Sequence, residues 1–438
     1  MRTKLLGAVG VFLIVIPAAA AAAQGPSDRT LVQAVLPGQA ATVTPAAPAA
    51  AVDSIDPTDP DALMDLGDLF RAVRHKDPKP PPDAAELGRP MITAAPIIGS
   101  NPSSGVSIGA AAQIAFIRGD PATTRISSLI SSLTYTTKNQ LIFNARFGMF
   151  TADDRWFIEG DNRIQLTAQD TYGLGTNTPD SAAIDTNFDF YRVHETAYRR
   201  VRKSLFVGGG FLFDAHANVK GADGVSLTGS PYETYSLDHG LPIDRQISAG
   251  VSANVLFDTR DNFIDPQHGV MANAAYRFSF GDFLGSDSAW QSLHLEFRAY
   301  APLPTKRRQH LGFWYFTDLT TTGAPPYFDL PTTVMDLLGR SARGYREGRY
   351  RGERLMYGEV EYRSDLMRNG LLGMVAFSNL TTVTNLEAGE HLFESGAPAF
   401  GAGLRLLLNK RSRTNLCLDV AWGKSGSHGV YLAIQDAF

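Results

Sequence analysis

The strongest chemical signal in this sequence is a run of arginines followed by two carboxylates. Residues 343–351 read RGYREGRYR, and Glu359, Glu361 and Arg363 follow at alternate positions. Side chains two apart on a β-strand share a face, so the glutamates present paired carboxylates to one side. A guanidinium can grip a carboxylate through two parallel hydrogen bonds. A loop carrying Arg343, Arg346, Arg349 and Arg351 needs counter-charge if it enters a confined space. Glu359 and Glu361 both suit Arg343, and the sequence does not choose between them. Gly344 permits close approach or an unusual backbone angle, and Tyr345 supplies a ring to pack the tip. The competing expectation is a solvated basic loop.

Catalytic patterns are poor. His294 stands near Glu296, and His194 and Asp189 fall on another segment, but isolated pairs of this kind are ordinary pore-lining groups. No nucleophile stands with an oriented base. Cys417 is the one cysteine, which excludes an intramolecular disulfide framework and a zinc site built from several thiolates. No His, Cys, Asp or Glu spacing suits a metal. The expectation is a protein that is not an enzyme and uses no cofactor. With 40 basic and 44 acidic residues in 438 and a formal charge of -4, dispersed basic side chains do not suggest a nucleic-acid partner.

The elements that carry these groups read as strands. In 245–260, Ile247, Ala249, Val251, Ala253, Val255 and Phe257 alternate with Gln246, Ser248, Gly250, Ser252, Asn254 and Asp258; Leu256 breaks the rule. Leu293, Leu295, Phe297 and Ala299 alternate with Ser292, His294, Glu296 and Arg298. Leu416, Leu418, Val420 and Trp422 alternate with Cys417, Asp419 and Ala421. Sixteen such segments span 91–99 to 429–438, most of them longer than the roughly 5–6 residues usual in soluble sheets. Apolar faces in lipid and polar faces on a wet lumen explain both the length and the charge. Short links at 152–155, 201–203, 304–308, 367–370 and 410–412 alternate with long ones at 169–186, 220–244, 323–353 and 384–397. The expectation is an all-β, 16-stranded antiparallel transmembrane barrel over 90–438. In the last segment, Val430, Leu432, Ile434 and Phe438 are expected to share the lipid face, with Asp436 at the headgroup boundary and Gly429 near the outer end.

Two other regions precede the barrel. Residues 1–23 read as a signal peptide: Arg2 and Lys4, an apolar stretch over 5–17, then small residues over 18–23. Residues 24–89 form an Ala/Pro-rich segment with one short helix expected at 61–74, which would bind a partner, plug a pore or simply lie on the surface. After residue 23 no apolar run approaches ~18 residues, so no transmembrane helix is expected.

The barrel segment resembles the Omp85 superfamily of outer-membrane proteins, the BamA/TamA-like, surface-antigen type. The resemblance covers about 90–438 and rests on PIIGSNPSSGVSIG (96–109), FDTRDNFIDPQHG (257–269, with Asp258, Arg260, Asp261, Pro266 and Gly269) and RGYREGRYR. It implies that the loop between strands 11 and 12 folds into the lumen. Arg343, Gly344 and Tyr345 would form its anchored tip, and Glu359, Glu361 and Arg363 are candidate partners. Gly429 and Phe438 would mark the C-terminal strand signal. The resemblance also implies a bacterial outer-membrane location. The segment before residue 90 fits neither the family's POTRA repeats nor a patatin-like domain, and Asn379-Leu380 stands where relatives often carry Asp-Gly.

Three functions follow from that resemblance and from the polar lumen. The first is assistance in inserting or assembling outer-membrane proteins through the seam between first and last strands. The second is a passive or gated channel, and the third a structural surface-antigen barrel. Expected partners are outer-membrane lipid, unfolded outer-membrane clients and a periplasmic accessory protein, with a monomer favoured.

Overall fold

The computed structural model describes residues 63–76, 89–101, 105–304 and 308–438. The signal peptide, most of the Ala/Pro-rich segment and positions 102–104 lie outside the described residues.

Strand-forming alternation runs through the whole barrel segment. The strands are β1 (Met91–Asn101), β2 (Gly105–Phe116), β3 (Ser127–Thr136), β4 (Leu141–Phe150), β5 (Trp156–Thr171), β6 (Ile184–Arg202), β7 (Leu205–Gly221) and β8 (Gln246–Asp258). They continue as β9 (Gly269–Ser279), β10 (Trp290–Pro302), β11 (Gln309–Thr322), β12 (Arg354–Asp365), β13 (Leu372–Val383), β14 (Ala397–Asn409), β15 (Thr414–Gly423) and β16 (His428–Ile434). All sixteen join one sheet in sequence order, each antiparallel to the next, so the expected 16-stranded antiparallel barrel is the fold found. Along β8 the apolar set Val251, Val255 and Phe257 is exposed on the outer face, whereas Ser252, Asn254 and Asp258 are buried inside. Leu256, the exception in the pattern, turns inward and packs with Phe206 and Met271. Exposed Ile108, Leu133, Phe313, Phe400, Leu418 and Val430 extend the apolar outer surface to other strands. In water such a surface would far exceed the few hundred Å² that soluble monomers tolerate; in a bilayer it is the lipid contact. No helix among the described residues is long and apolar enough to cross a membrane.

Among the described residues, two α-helices flank the sheet. The first, α1 (Leu66–Val73), begins at Asp65, whose carboxylate accepts from the Asp68 amide while Asp68 caps the Asp65 amide in return, a reciprocal cap worth about 1 kcal/mol. It is shorter than the expected 61–74. The second, α2 (Pro231–Asp238), lies in the 220–244 loop. Its Tyr232 and Tyr235 pack against Tyr327 and Phe328, roofing the long-loop end of the lumen.

The last residues correct the sequence expectation. β16 stops at Ile434, and Gln435 adopts a left-handed backbone with φ of 74°. This turns Asp436 and Phe438 into the barrel interior, where both are buried. Asp436 meets Arg405 Nε at 2.5 Å and accepts from Asn415 Nδ2, so it is not at the headgroup boundary. Phe438 stacks near Trp314 and Tyr300, so it does not share the lipid face with Val430. The ion pair and the aromatic cluster compensate for breaking the period-two pattern.

Candidate functional site

Strand register sets the floor of the site. Trp314 pairs with Glu359, Glu359 with Asn379, Asn379 with Ala399 and Ala399 with Gly423. One residue row below, Gly312, Glu361, Phe377, Gly401 and Ala421 stand in line. Each row places charge on β12 and small side chains on β14 and β15. The small residues leave a depression beside the carboxylates. Ala397, Ala399, Gly401 and Gly403 occupy successive inward positions of β14, alternating with outward Pro398, Phe400, Ala402 and Leu404. This small-residue track was present in the sequence as a second alternation and went unread there.

The 323–353 loop drops its tip into that depression. Arg343 Nη2 donates to Glu359 Oε1 at 2.5 Å and Glu361 Oε2 at 2.6 Å, and Nη1 donates to Asp419 Oδ2 at 2.7 Å. The guanidinium also lies 3.5 Å above the Phe377 ring. All four side chains in the ion cluster are fully removed from solvent. Burial opposes the charge on Arg343, but Glu359, Glu361 and Asp419 outweigh it and hold the guanidinium's proton well above the usual arginine range. Both expected glutamates therefore reach Arg343. Asp419 is a third partner that sequence spacing missed, because it lies on a different strand, 76 residues away.

A second layer fixes those carboxylates. Tyr357 Oη and Asn379 Nδ2 donate to Glu359, and Asn379 also donates to the Arg343 carbonyl. Asparagine at this position thus serves as a donor to loop and wall at once. Arg363 Nε donates to Glu361 Oε1 at 2.9 Å, and Arg405 Nη1 to Asp419 Oδ1 at 2.5 Å. A side chain at Gly403 would collide with the Asp419 carboxylate, so glycine there allows Asp419 to lean toward both arginines.

Gly344 and Tyr345 meet β14, β15 and β16 of the same wall. Gly344 has φ of 112°, and a Cβ on it would sit 2.9 Å from Ala399 Cβ; only glycine meets both demands without strain. Its amide donates to Tyr431 Oη, and its carbonyl accepts from Ser427 Oγ. Gly429 leaves the space that the Tyr431 ring fills. Tyr345 Oη donates to the Pro398 carbonyl and accepts from the Lys424 amide, while Gly423 lies flat beneath the ring. Tyr345→Phe removes two hydrogen bonds and keeps the packing. It should therefore lower the unfolding midpoint by an amount equivalent to about 1–3 kcal/mol. Gly423→Val should cost more, because its Cβ would stand 2.6 Å from the ring carbons. Thermal unfolding in detergent, followed by loss of the compact gel form, ranks the two variants.

The remaining loop arginines point elsewhere in the lumen. Arg346 pairs with Asp170 at 2.7 Å. Arg349 holds Thr178 and Asp180, and Arg351 donates to the Tyr327 carbonyl and to Gln169. The basic run is thus distributed over β5, the 172–183 link and the loop itself rather than solvated. A cavity of about 250 Å³ remains between the loop and the far wall, bordered by Glu159, Asp161, Glu296 and Arg298. His294 in this region faces Asp318 at 2.8 Å, and His194 faces Asp214 at 2.7 Å; Asp189 accepts from Asn218 instead.

The segment from Asp258 to Gly269 folds back beneath the lumen at the short-turn end. Arg260 makes two bonds to Asp258, which also meets Arg125. Asp261 accepts from the amides of Gln267 and His268 and pairs with Arg413 at 2.6 Å. Asp265 lies 3.4 Å from Arg363, tying the turn to the Arg343 cluster through one arginine. Pro266 is buried, and Gly269 has φ of 104° where a Cβ would strike the Thr259 carbonyl.

Comparison with known proteins places this architecture. The Omp85 superfamily domain matches residues 244–426, the stretch that holds the Asp258–Gly269 turn, the infolded loop and its carboxylate partners. That stretch is similar to the Omp85 superfamily domain. No curated protein matches it. Among solved structures, it is 16% identical to BamA from Haemophilus ducreyi lacking POTRA domains 1-3, over 79% of this chain and 69% of that one, with a TM-score of 0.49. It is 11% identical to CdiB from Acinetobacter baumannii (79% and 59% covered, TM-score 0.49) and 10% identical to CdiB from Escherichia coli (78% and 62% covered, TM-score 0.49). The chain spans about three fifths of the length of the two CdiB structures.

The two ends of the barrel's sheet lie side by side without joining. Each consecutive strand pair shares a backbone ladder, but the ordered sheet runs from β1 to β16 and stops. β16 has only seven residues against the eleven of β1, and its last turn bends inward at Gln435. A side-chain bond at 3.4 Å, from Gln113 Nε2 on β2 to Gln435 Oε1, links the two sides.

Proposed function

We propose that this protein is an outer-membrane barrel that assists the insertion of other outer-membrane proteins, using the β1–β16 seam. The observation that carries this reading is the missing ladder between the end strands: β1 and β16 each keep an edge whose backbone groups can pair with an incoming strand. A strand that adds to such an edge gains main-chain hydrogen bonds in a setting where unsatisfied ones are costly. The protein's part is then to offer a template, and no covalent step or cofactor is involved. The infolded loop is braced against β12–β15 and, through Gly344 and Tyr431, against β16, which makes that side of the seam rigid and leaves β1 as the edge the loop tip does not brace.

The channel reading has weaker support. The lumen is polar, but the tip of the 323–353 loop is pinned on one wall, α2 roofs the long-loop end and the 258–269 turn underlies the other end. The intact barrel should conduct poorly.

The test reconstitutes the full chain in liposomes with an unfolded barrel client. Acceleration of client folding over empty liposomes is the expected result. It should disappear when an engineered cysteine pair tethers β1 to β16 and return on reduction; buried Cys417 does not compete. Unaccelerated folding, or acceleration indifferent to the tether, would refute the seam mechanism.

A further inference from the structure

The apolar stripe of α1 starts against the barrel rim and ends in exposed side chains. Leu66, Phe70 and Val73 follow a helical spacing along one side of α1, and Leu63 stands just before its N-cap. Leu63 is buried, its Cδ2 facing Gly370, and Leu66 is half-buried. Phe70 is 56% exposed and Val73 69%. The N-terminal end is held firmly to the short-turn rim. The Met64 amide donates to the Asn369 carbonyl at 2.8 Å, and Lys410 Nζ bonds the Leu63 carbonyl and pairs with Asp68 at 2.9 Å. A clamped helix does not leave Phe70 and Val73 in water by chance, since burying each is worth roughly 1.5–3 kcal/mol.

What lies beside the clamp indicates the occupant. Leu366 and Met367 precede Asn369 in the same turn and are themselves exposed. They continue the outer apolar surface of the barrel down to the rim. The free end of the helix carries Arg71, Arg74 and Lys76, and Arg368 is exposed on the turn next to the clamp. An apolar stripe that continues a lipid-facing surface and is flanked by cations fits a phospholipid leaflet with anionic headgroups. A protein partner would not require that continuity.

We propose that α1 is an interfacial membrane anchor. Phe70 and Val73 enter the headgroup boundary of the leaflet at the short-turn rim, and Arg71, Arg74 and Lys76 face anionic phospholipid. The helix thereby fixes how deep β13 and β14 sit, because its clamp residues belong to the turns that end those strands. The inference requires a membrane-spanning barrel but not an opening seam, so client folding can fail while this holds.

The experiment uses the full chain with Phe70→Cys, Val73→Cys or Ala72→Cys, each carrying an environment-sensitive fluorophore. Position 72 points away from the stripe and serves as the control. The barrels are reconstituted in phosphatidylcholine vesicles with or without phosphatidylglycerol, and lipids brominated near the headgroup end of the chain serve as quenchers. Labels at 70 and 73 should emit at shorter wavelength, be quenched by brominated lipid and resist aqueous iodide several-fold better than the label at 72. Phosphatidylglycerol should strengthen the contrast, and combined Arg71→Ala, Arg74→Ala and Lys76→Ala substitutions should remove that gain. Labels at 70 and 73 as open to iodide as the label at 72 would overturn the proposal. So would labels shielded from iodide yet untouched by brominated lipid, the result expected of a protein contact. Equal quenching with and without phosphatidylglycerol would overturn its electrostatic half.

Discussion

Arg343→Ala should both lower the barrel's unfolding midpoint in detergent and raise its conductance in a planar bilayer. The side chain is fully buried and holds three carboxylates. Without it, Glu359, Glu361 and Asp419 remain packed together, with Arg363 and Arg405 as the nearest counter-charges and Asp436 already drawing on Arg405. Building a buried ion cluster is close to neutral, because desolvation offsets attraction. Removing one partner is not, and leaving uncompensated buried charge costs about 3–5 kcal/mol. The strand ladders do not pass through Arg343, so the variant should still form a barrel. The damage falls on the loop tip, whose other attachments are the hydrogen bonds of Gly344 and Tyr345 to the wall. A detached tip widens the lumen, and conductance reports that directly. Arg343→Lys should fall between, since an ammonium keeps the charge but cannot span three carboxylates with a planar fork. Parent values for both readouts in Arg343→Ala would remove the anchoring role.

The legibility of this site follows from which constraints act locally. Lipid outside and polar lumen inside impose a strict period of two on every strand, so β8 and β10 could be read residue by residue. The loop phase was legible because the four longest links, 172–183, 222–245, 323–353 and 384–396, all fall at odd-to-even transitions. Arg343 and its two glutamates were legible because a basic loop in a confined space needs counter-charge close by. Asp419 was not, because nothing in a lone acid on a distant strand shows that three successive strand pairings, from β12 to β15, bring it to the β12 carboxylates. The β14 track of Ala397, Ala399, Gly401 and Gly403 could have been found, since small inward residues opposite bulky outward ones mark a wall that something approaches. The C-terminal reading failed for a different reason. Extending the alternation to Phe438 put Asp436 on the lipid-facing side at the headgroup boundary, and that charge was the sign that the strand ends earlier. A buried ion pair with Arg405 was the cheaper solution.

The last residue allows a direct decision between the two readings of the C-terminus. Phe438 packs 5.3 Å from the Trp314 ring and 6.0 Å from Tyr300, and Arg363 Nη2 donates to its carbonyl at 2.9 Å. Gly312 lies directly beneath, where a Cβ would come 3.0 Å from the Phe438 ring. Phe438→Ala therefore opens a void against Trp314, which is wholly buried, and should destabilise the folded barrel by about 3–5 kcal/mol, as for phenylalanine deletions in packed cores. The midpoint of thermal unfolding in detergent measures this, and tryptophan emission should change with it because Trp314 loses a stacking neighbour. A phenylalanine on the lipid face would behave differently: detergent or lipid would fill the gap, so the midpoint and the Trp314 signal would both stay near the parent's. Phe438→Leu should recover much of the stability in the first case, because an aliphatic side chain still fills most of the space above Gly312. Because the same residue's carbonyl is bound by Arg363, which also holds Glu361, loosening Phe438 should weaken the Arg343 cluster as well. The Phe438→Ala and Arg343→Ala losses should then combine to less than their sum, since both draw on the same buried network.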